Sequence, residues 1–244
     1  MIKRDLFSKK KLTTYINEFD RIVSQLIKSK ENINAKWGTI LTKDIESSKS
    51  KVFHTHNVQS YSAKMLSMIL NKKLLDIIEL LIGPDIILHH SKLFFKPPLI
   101  GAAFPLHQDW SYFPTKRDTM IAAVIHLSKS DEEMGCFRIV PKSHRLGKIN
   151  NSDGHTYNKK IHQKYQLDDA LPIIAKAGDV LFFDARTIHG SLPNNSKEAR
   201  KTILLQLYSG TDEIMPKSEH TNIQLALRGI NHYATRSSVS NIKA

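Results

Sequence analysis

The sequence changes texture at Gly83-Pro84, and that change restricts the fold more than any single motif does. Before it, apolar residues recur at three- and four-residue steps, the spacing of one helix face. From Lys10 to Ile27 the stripe is Leu12, Tyr15, Ile16, Phe19, Ile22, Val23 and Leu26. Tyr61 to Ile69 and Lys72 to Ile82 repeat it, and Gly83-Pro84 supplies a stop signal. After Pro84 the apolar residues come in short β-prone runs: Ile86 to Phe95, Met120 to Leu127, Phe137 to Val140, Val180 to Phe183 and Ile203 to Tyr208. Turn-rich segments such as Lys96-Pro97-Pro98 and Pro193-Asn194-Asn195-Ser196 separate them.

Helices first and strands afterwards predict helices packed on the outside of a β-sandwich or barrel. At 244 residues, one domain is expected: a mainly helical part over 1–83, a β core over 84–210 and a C-terminal extension over 211–244. The run from Arg200 to Tyr208 fits such a core. Arg200, Thr202, Leu204, Gln206 and Tyr208 share one strand face, while Lys201, Ile203, Leu205 and Leu207 share the other. A polar lumen inside and an apolar face under a helix would produce that split. The polar segment from Lys148 to Ala170 reads as an insertion or lid between strands.

The formal net charge is +13, from 36 basic and 23 acidic residues, which suits an anionic small-molecule substrate. The lysines are scattered, the longest basic run is Lys9 to Lys11, and no basic stripe interleaves with aromatics, so no nucleic-acid partner is expected. Cys136 is the single cysteine, which excludes an internal disulfide and points to a reducing compartment, the cytoplasm. No apolar run follows the charged N-terminus, and none approaches the ~18 residues of a membrane span.

Pro105-Leu106-His107-Gln108-Asp109-Trp110 places an imidazole and a carboxylate two residues apart. In extended backbone His107 and Asp109 share a face, and Gln108 points elsewhere. His189 follows a buried-strand pattern, Gly178 to Asp184, and is the candidate third ligand. Two imidazoles and one carboxylate on one face of a metal leave three positions open, the arrangement of non-haem iron(II) oxygenases. Arg200 stands 11 residues beyond His189, across a turn containing Pro193-Asn194-Asn195. If the flanking segments form a hairpin, its guanidinium reaches the metal site and can grip a carboxylate bidentately. The pairs His54/His56 and His89/His90 lack a carboxylate at a suggestive spacing and read as structural.

At these residues the chain resembles the phytanoyl-CoA dioxygenase family of iron(II)- and 2-oxoglutarate-dependent oxygenases. The resembling stretches are Lys96-Pro97-Pro98, Pro105 to Asp109 with Tyr112-Phe113-Pro114, Gly135 to His144, and Ile188 to Ser191 with Arg200-Lys201; the similarity spans about residues 51–210. The resemblance implies a double-stranded β-helix (jelly-roll) core, with iron(II) on His107, Asp109 and His189. It implies that Arg200 and Ser191 hold the distal carboxylate of 2-oxoglutarate and that Gln108 lies near this cosubstrate. Where family members carry a lysine against the oxoacid this chain has His54, so His54 and Lys92 are expected to supply cosubstrate contacts. Where a tryptophan often stands after the His-x-Asp motif it has Val124. Trp110, Tyr112 and Arg138 are the expected substrate contacts.

The activity so implied is hydroxylation of an unactivated C–H bond in an acyl-CoA, amino acid or natural product, using dioxygen and releasing succinate and carbon dioxide. A metal-binding cupin-like sensor or isomerase is the competing reading. Arg200 separates the two, because a plain metal-binding jelly roll has no need of an arginine at that place.

Overall fold

The computed structural model describes residues 1–37, 41–149, 158–216 and 221–240. The chain opens with a short strand, β1 (Ile2–Lys3), then α1 (Lys9–Ser29), β2 (Phe53–His56), α2 (Ala63–Ile69) and α3 (Lys72–Ile82). The remaining elements are β3 (Ile86–Lys96), β4 (Phe104–His107), β5 (Ile121–His126), β6 (Phe137–Ile139), α4 (Lys159–Lys164), β7 (Leu171–Ile173), β8 (Val180–Asp184), β9 (His189–Ser191), β10 (Arg200–Ser209), β11 (Leu225–Arg228) and α5 (Arg236–Ser240).

Local chemistry sets the helix ends. The Asn71 side chain accepts from the amides of Lys73 and Leu74 at the start of α3. Gly83 ends the helix at φ +97°, a backbone state that a side chain would strain. Ser62 caps α2 in the same way as Asn71, accepting from Lys64 and Met65. The two strands β1 and β2 lie within the segment expected to be mainly helical. They complete the large sheet, β1 on β8 and β2 on β3.

The strands form two antiparallel sheets. One runs β1-β8-β5-β10-β3-β11 with β2 also on β3, and the other runs β4-β9-β6-β7. This is the mainly β, jelly-roll core that the sequence predicts, with α1, α2 and α3 packed on the large sheet and α4 against β4 of the small one. On β10, Ile203, Leu205 and Leu207 pack with Phe19 and Ile22 of α1 and Ile78 of α3 in the main core. Burying each such side chain contributes about 1.5–3 kcal/mol. The opposite face of β10 looks into the space between the sheets, where Leu204 packs with Val124 and Phe137. Both faces thus match the alternation read from Arg200 to Tyr208.

A register shift between Gln206 and Leu207 makes His89 the extra residue of β3, with His90 opposite Gln206 and Leu88 opposite Leu207. Of the segment read as an insertion or lid, residues 150–157 lie outside the described residues; its far part supplies α4 and leads into β7. The C-terminal extension contributes β11, paired to β3, and its residues 217–220 and 241–244 are likewise outside the description. No helix among the described residues is long and apolar enough to cross a membrane.

Candidate active site

Pairing of β4 with β9 sets His107 directly opposite His189. Strand β4 ends there, Gln108 keeps extended dihedrals, and Asp109 opens a turn of 3-10 helix. The alternation that this permits returns the Asp109 carboxylate to the side occupied by His107. Asp109 Oδ1 lies 3.7 Å from Nε2 of His107 and 3.7 Å from Nε2 of His189. One ligand atom from each of the three residues falls within 4.8 Å of the others, and all three residues are buried.

Each imidazole is oriented by its own backbone. His107 Nδ1 donates to the Pro105 carbonyl at 2.8 Å, and His189 Nδ1 donates to the Thr187 carbonyl at 2.9 Å. A carbonyl only accepts, so the proton sits on Nδ1 and the Nε2 lone pair is left for a metal. Asp109 Oδ2 accepts from the Gln206 amide at 2.7 Å, which leaves Oδ1 for the same ion. Burial alone would raise the Asp109 pKa. The two imidazoles and the Gln206 amide outweigh it and hold the carboxyl well below the usual carboxylate range. Burial, reinforced by His107, brings His189 down to about 4, so its ring is neutral at physiological pH. This donor set fits a divalent transition metal with open coordination positions.

Those positions face a cavity of about 630 Å3, its open mouth included, walled by aromatic rings that include Trp37, Phe94, Phe104 and Phe137. Arg200 reaches it from the start of β10, almost fully buried, its guanidinium 5.2 Å from the Phe137 ring and one Nη donating to the Gly135 carbonyl. Its Nε has no partner among the described residues. Burial lowers Arg200 to about 10, which leaves it charged. Lys96 pairs with Arg200 across the β3–β10 ladder, and its ammonium donates to Ser191 Oγ at 2.8 Å and to the Leu192 carbonyl at 2.7 Å. The Arg200 guanidinium and the Ser191 hydroxyl thus line the cavity together, with Lys96 buried behind Ser191, and they form a receptor for a carboxylate.

Arg200 does not get there by a hairpin. His189 belongs to the small sheet and Arg200 to the large one, so the intervening turn crosses between sheets. The two sheets face each other, and the guanidinium meets the metal triad across the gap.

Of the other expected site residues, Lys92 and Tyr112 line the cavity, as do Ser191 and Arg200. Four do not. The Gln108 amide donates to the Gly147 and Arg186 carbonyls and accepts from the Ile149 amide, so it ties loops together and lies off the cavity wall. Arg138 points out of the small sheet, opposite in alternation to Phe137, and binds the carbonyls of Asp168 and Ala170 and the Glu132 carboxylate. His54 stacks on Phe94 and meets His56 at 5.1 Å, off the cavity wall. Trp110 lies under the Lys148 ammonium, which is 5.3 Å from its ring centre. Its flank in the sequence placed it near the ligands, but the turn at Asp109 swings it outward.

Sequence reasoning passed over Lys96, Gln206 and Trp37. Gln206 was legible only as an inward-facing residue of β10, with nothing to connect it to Asp109. Trp37 packs edge-on against His107 at 4.7 Å, from a segment with no periodic signal of its own.

A jelly roll holding two histidines and one carboxylate at the mouth of an aromatic cavity, with a buried arginine across from them, defines a mononuclear metal site of the facial-triad kind. The chain belongs to the phytanoyl-CoA dioxygenase family, whose model matches residues 1–202. It is 31% identical over 157 residues to a probable alpha-ketoglutarate-dependent hypophosphite dioxygenase of Stutzerimonas stutzeri, covering 61% of this chain and 54% of that one. It is 26% identical over 254 residues to human peroxisomal phytanoyl-CoA dioxygenase, covering 95% and 72%. The chain therefore spans little more than half the length of the hypophosphite relative, and 63% of the bovine phytanoyl-CoA enzyme. Among solved structures, the fold matches EctD from S. alaskensis in its apo form with TM-score 0.73 at 18% identity, covering 97% of this chain and 81% of that one. The epimerase SnoN in complex with Fe3+, alpha ketoglutarate and nogalamycin RO matches with TM-score 0.74 at 18% identity, covering 93% of each.

Proposed function

We propose that this protein is an iron(II)- and 2-oxoglutarate-dependent dioxygenase that hydroxylates a small substrate at a C–H bond. The observation that carries the reading is the pairing of a preformed metal triad with the Arg200–Ser191 carboxylate receptor in one cavity, backed by the Lys96 contact to Ser191. His107 Nε2, His189 Nε2 and Asp109 Oδ1 hold the metal. Arg200, with its buried Nε still lacking a partner among the described residues, takes the distal carboxylate of 2-oxoglutarate together with Ser191. Lys96 steadies the Ser191 hydroxyl.

When bound, the iron and oxoacid supply the oxidant, using dioxygen and releasing succinate and carbon dioxide. The chain's own work is placement and exclusion of water. The aromatic wall keeps the cavity apolar, Trp37 closes against His107, and Gln206 holds Asp109 in the orientation that presents Oδ1. A cupin-like sensor without oxygenase activity has no use for Arg200, which costs burial of a cation.

Relatives act on hypophosphite, phytanoyl-CoA and ectoine by their names, and the net positive charge favours an anionic substrate in this chain. The test is a panel of hypophosphite, ectoine and acyl-CoA thioesters, read by succinate formed per substrate consumed. One member should stimulate succinate formation with matched substrate oxidation. Succinate formation that no wild-type preparation shows, with or without any panel member, contradicts the oxygenase reading.

A further inference from the structure

The chain has two sides at the metal ligands, and only one of them meets the metal. His107 and Asp109 face it, while Leu106, Gln108 and Trp110 turn away. Three consecutive residues of another segment grip those that turn away. Gln108 Nε2 donates to the Gly147 carbonyl at 3.0 Å, and Gln108 Oε1 accepts from the Ile149 amide at 3.0 Å. The Lys148 ammonium lies 5.3 Å from the Trp110 ring centre and pairs with Asp118 at 3.0 Å. The Ile149 side chain joins Leu106, Ile188 and Ile161 of α4 in one apolar cluster.

The Gln108 amide has a third partner, the Arg186 carbonyl at 2.6 Å. Arg186 precedes Thr187, whose carbonyl fixes the His189 ring. Gln108 is thus the joint between its own ligand turn, the turn that aims His189, and segment 147–149. It is fully buried, and only one orientation of its amide serves all of these bonds, because turning it over would set its oxygen against two carbonyls. Leu106 and Ile188, which pack with Ile149, stand immediately before His107 and His189 in the chain. Segment 147–149 therefore rests on the backs of both ligand-bearing strands.

We propose that Gln108 is a positioning residue that couples the docking of segment 147–149 to the metal site, so that metal binding and docking strengthen each other. This rests on the metal triad of the oxygenase reading above and goes beyond it. Without the Gln108 amide, the Gly147 and Arg186 carbonyls and the Ile149 amide lose the partner they have here. Buried backbone groups in that position regain a partner by reaching water, which undocks the segment. The coupling is reciprocal: the factor by which a bound ion favours docking is the factor by which a docked segment favours the ion. Apolar packing of Ile149 alone would hold the segment without linking it to the metal.

The experiment uses the full chain, stripped of metal by a chelator and then loaded with Mn(II). Amide hydrogen exchange is followed by mass spectrometry in peptides containing Ile149, with α3, packed on the outer face of the large sheet, as the control. Competition with a chelator reads Mn(II) affinity. In wild type, Mn(II) should slow exchange at Ile149 about tenfold or more and leave α3 unchanged. Gln108→Met, similar in length but without the amide, should bind Mn(II) about ten- to a hundredfold more weakly. At saturating Mn(II) it should show no ion-dependent slowing at Ile149. Gln108→Asn, a methylene too short to meet all three partners, repeats the measurement should Gln108→Met fail to fold. Wild type that binds Mn(II) without slower exchange at Ile149 overturns the proposal, and that arm needs no variant. Wild-type affinity in Gln108→Met overturns it too, as does ion-dependent slowing that survives there, since either would leave Gln108 a purely structural residue. Wild type that binds no Mn(II) overturns the metal triad, and this inference with it.

Discussion

Gln206 Nε2 donates to Asp109 Oδ2 at 2.7 Å, from a strand of the large sheet to a turn of the small one, and thereby decides which carboxylate oxygen faces the two imidazoles. The bond also helps to keep Asp109 ionised against its burial. Gln206→Leu keeps the volume and removes the donor. Metal affinity should fall about ten- to a hundredfold, the usual cost of losing a partner that orients a ligand. Competitive titration with a chelator measures it, and an affinity equal to wild type would show that Asp109 is held by other means.

Arg200→Ala should weaken 2-oxoglutarate binding by roughly ten- to a hundredfold, since a bidentate charged contact is worth about 1.5–3 kcal/mol. Arg200→Lys should restore only part of this, because an ammonium cannot reproduce the fork. Iron binding should be nearly intact in both. Titration of the oxoacid into metal-loaded protein reads all three variants, and equal affinities across them would remove the carboxylate receptor from the account.

Much of this architecture is legible from sequence where a local signal exists. The stripe of α1, the Gly83 end of α3 and the two faces of β10 follow from periodicity and a stop signal alone. Strands β4 and β9 give no such signal. They are three or four residues long, and Phe104-Pro105-Leu106-His107 and His189-Gly190-Ser191 are held by tertiary pairing. The Lys96–Ser191 contact joins residues 95 apart, which no window can reach. Gln108 is instructive. Strand alternation turns its side chain away from the His107–Asp109 face, and its bonds to Gly147, Ile149 and Arg186 agree.

Burial makes the metal-free fold sensitive to mild acid. His126, fully buried on β5, is lowered from 6.5 to about 4 by burial and by the Arg200 charge. Its folded pKa lies below the unfolded value, so the unfolded chain takes up a proton that the folded chain refuses. Stability is therefore fully present above pH 6.5 and is lost as pH falls towards 4. The loss is on the order of 3 kcal/mol for this group, and His54, His56 and His89 act in the same direction. Thermal unfolding of chelator-treated protein should show a midpoint that drops steadily below pH 6.5. A midpoint constant down to pH 5 would show that these rings are accommodated as cations.

On the proposed function, His107, Asp109 and His189 together hold one iron(II) ion to which 2-oxoglutarate binds. Anaerobic titration of the iron-loaded protein with 2-oxoglutarate, followed in the visible spectrum, tests it most directly. The account predicts one iron per chain in wild type and a weak charge-transfer band that grows with the oxoacid and saturates at one equivalent. His107→Ala and His189→Ala should show no band. A wild type that binds iron stoichiometrically without developing the band, or a band unchanged in either variant, would contradict it.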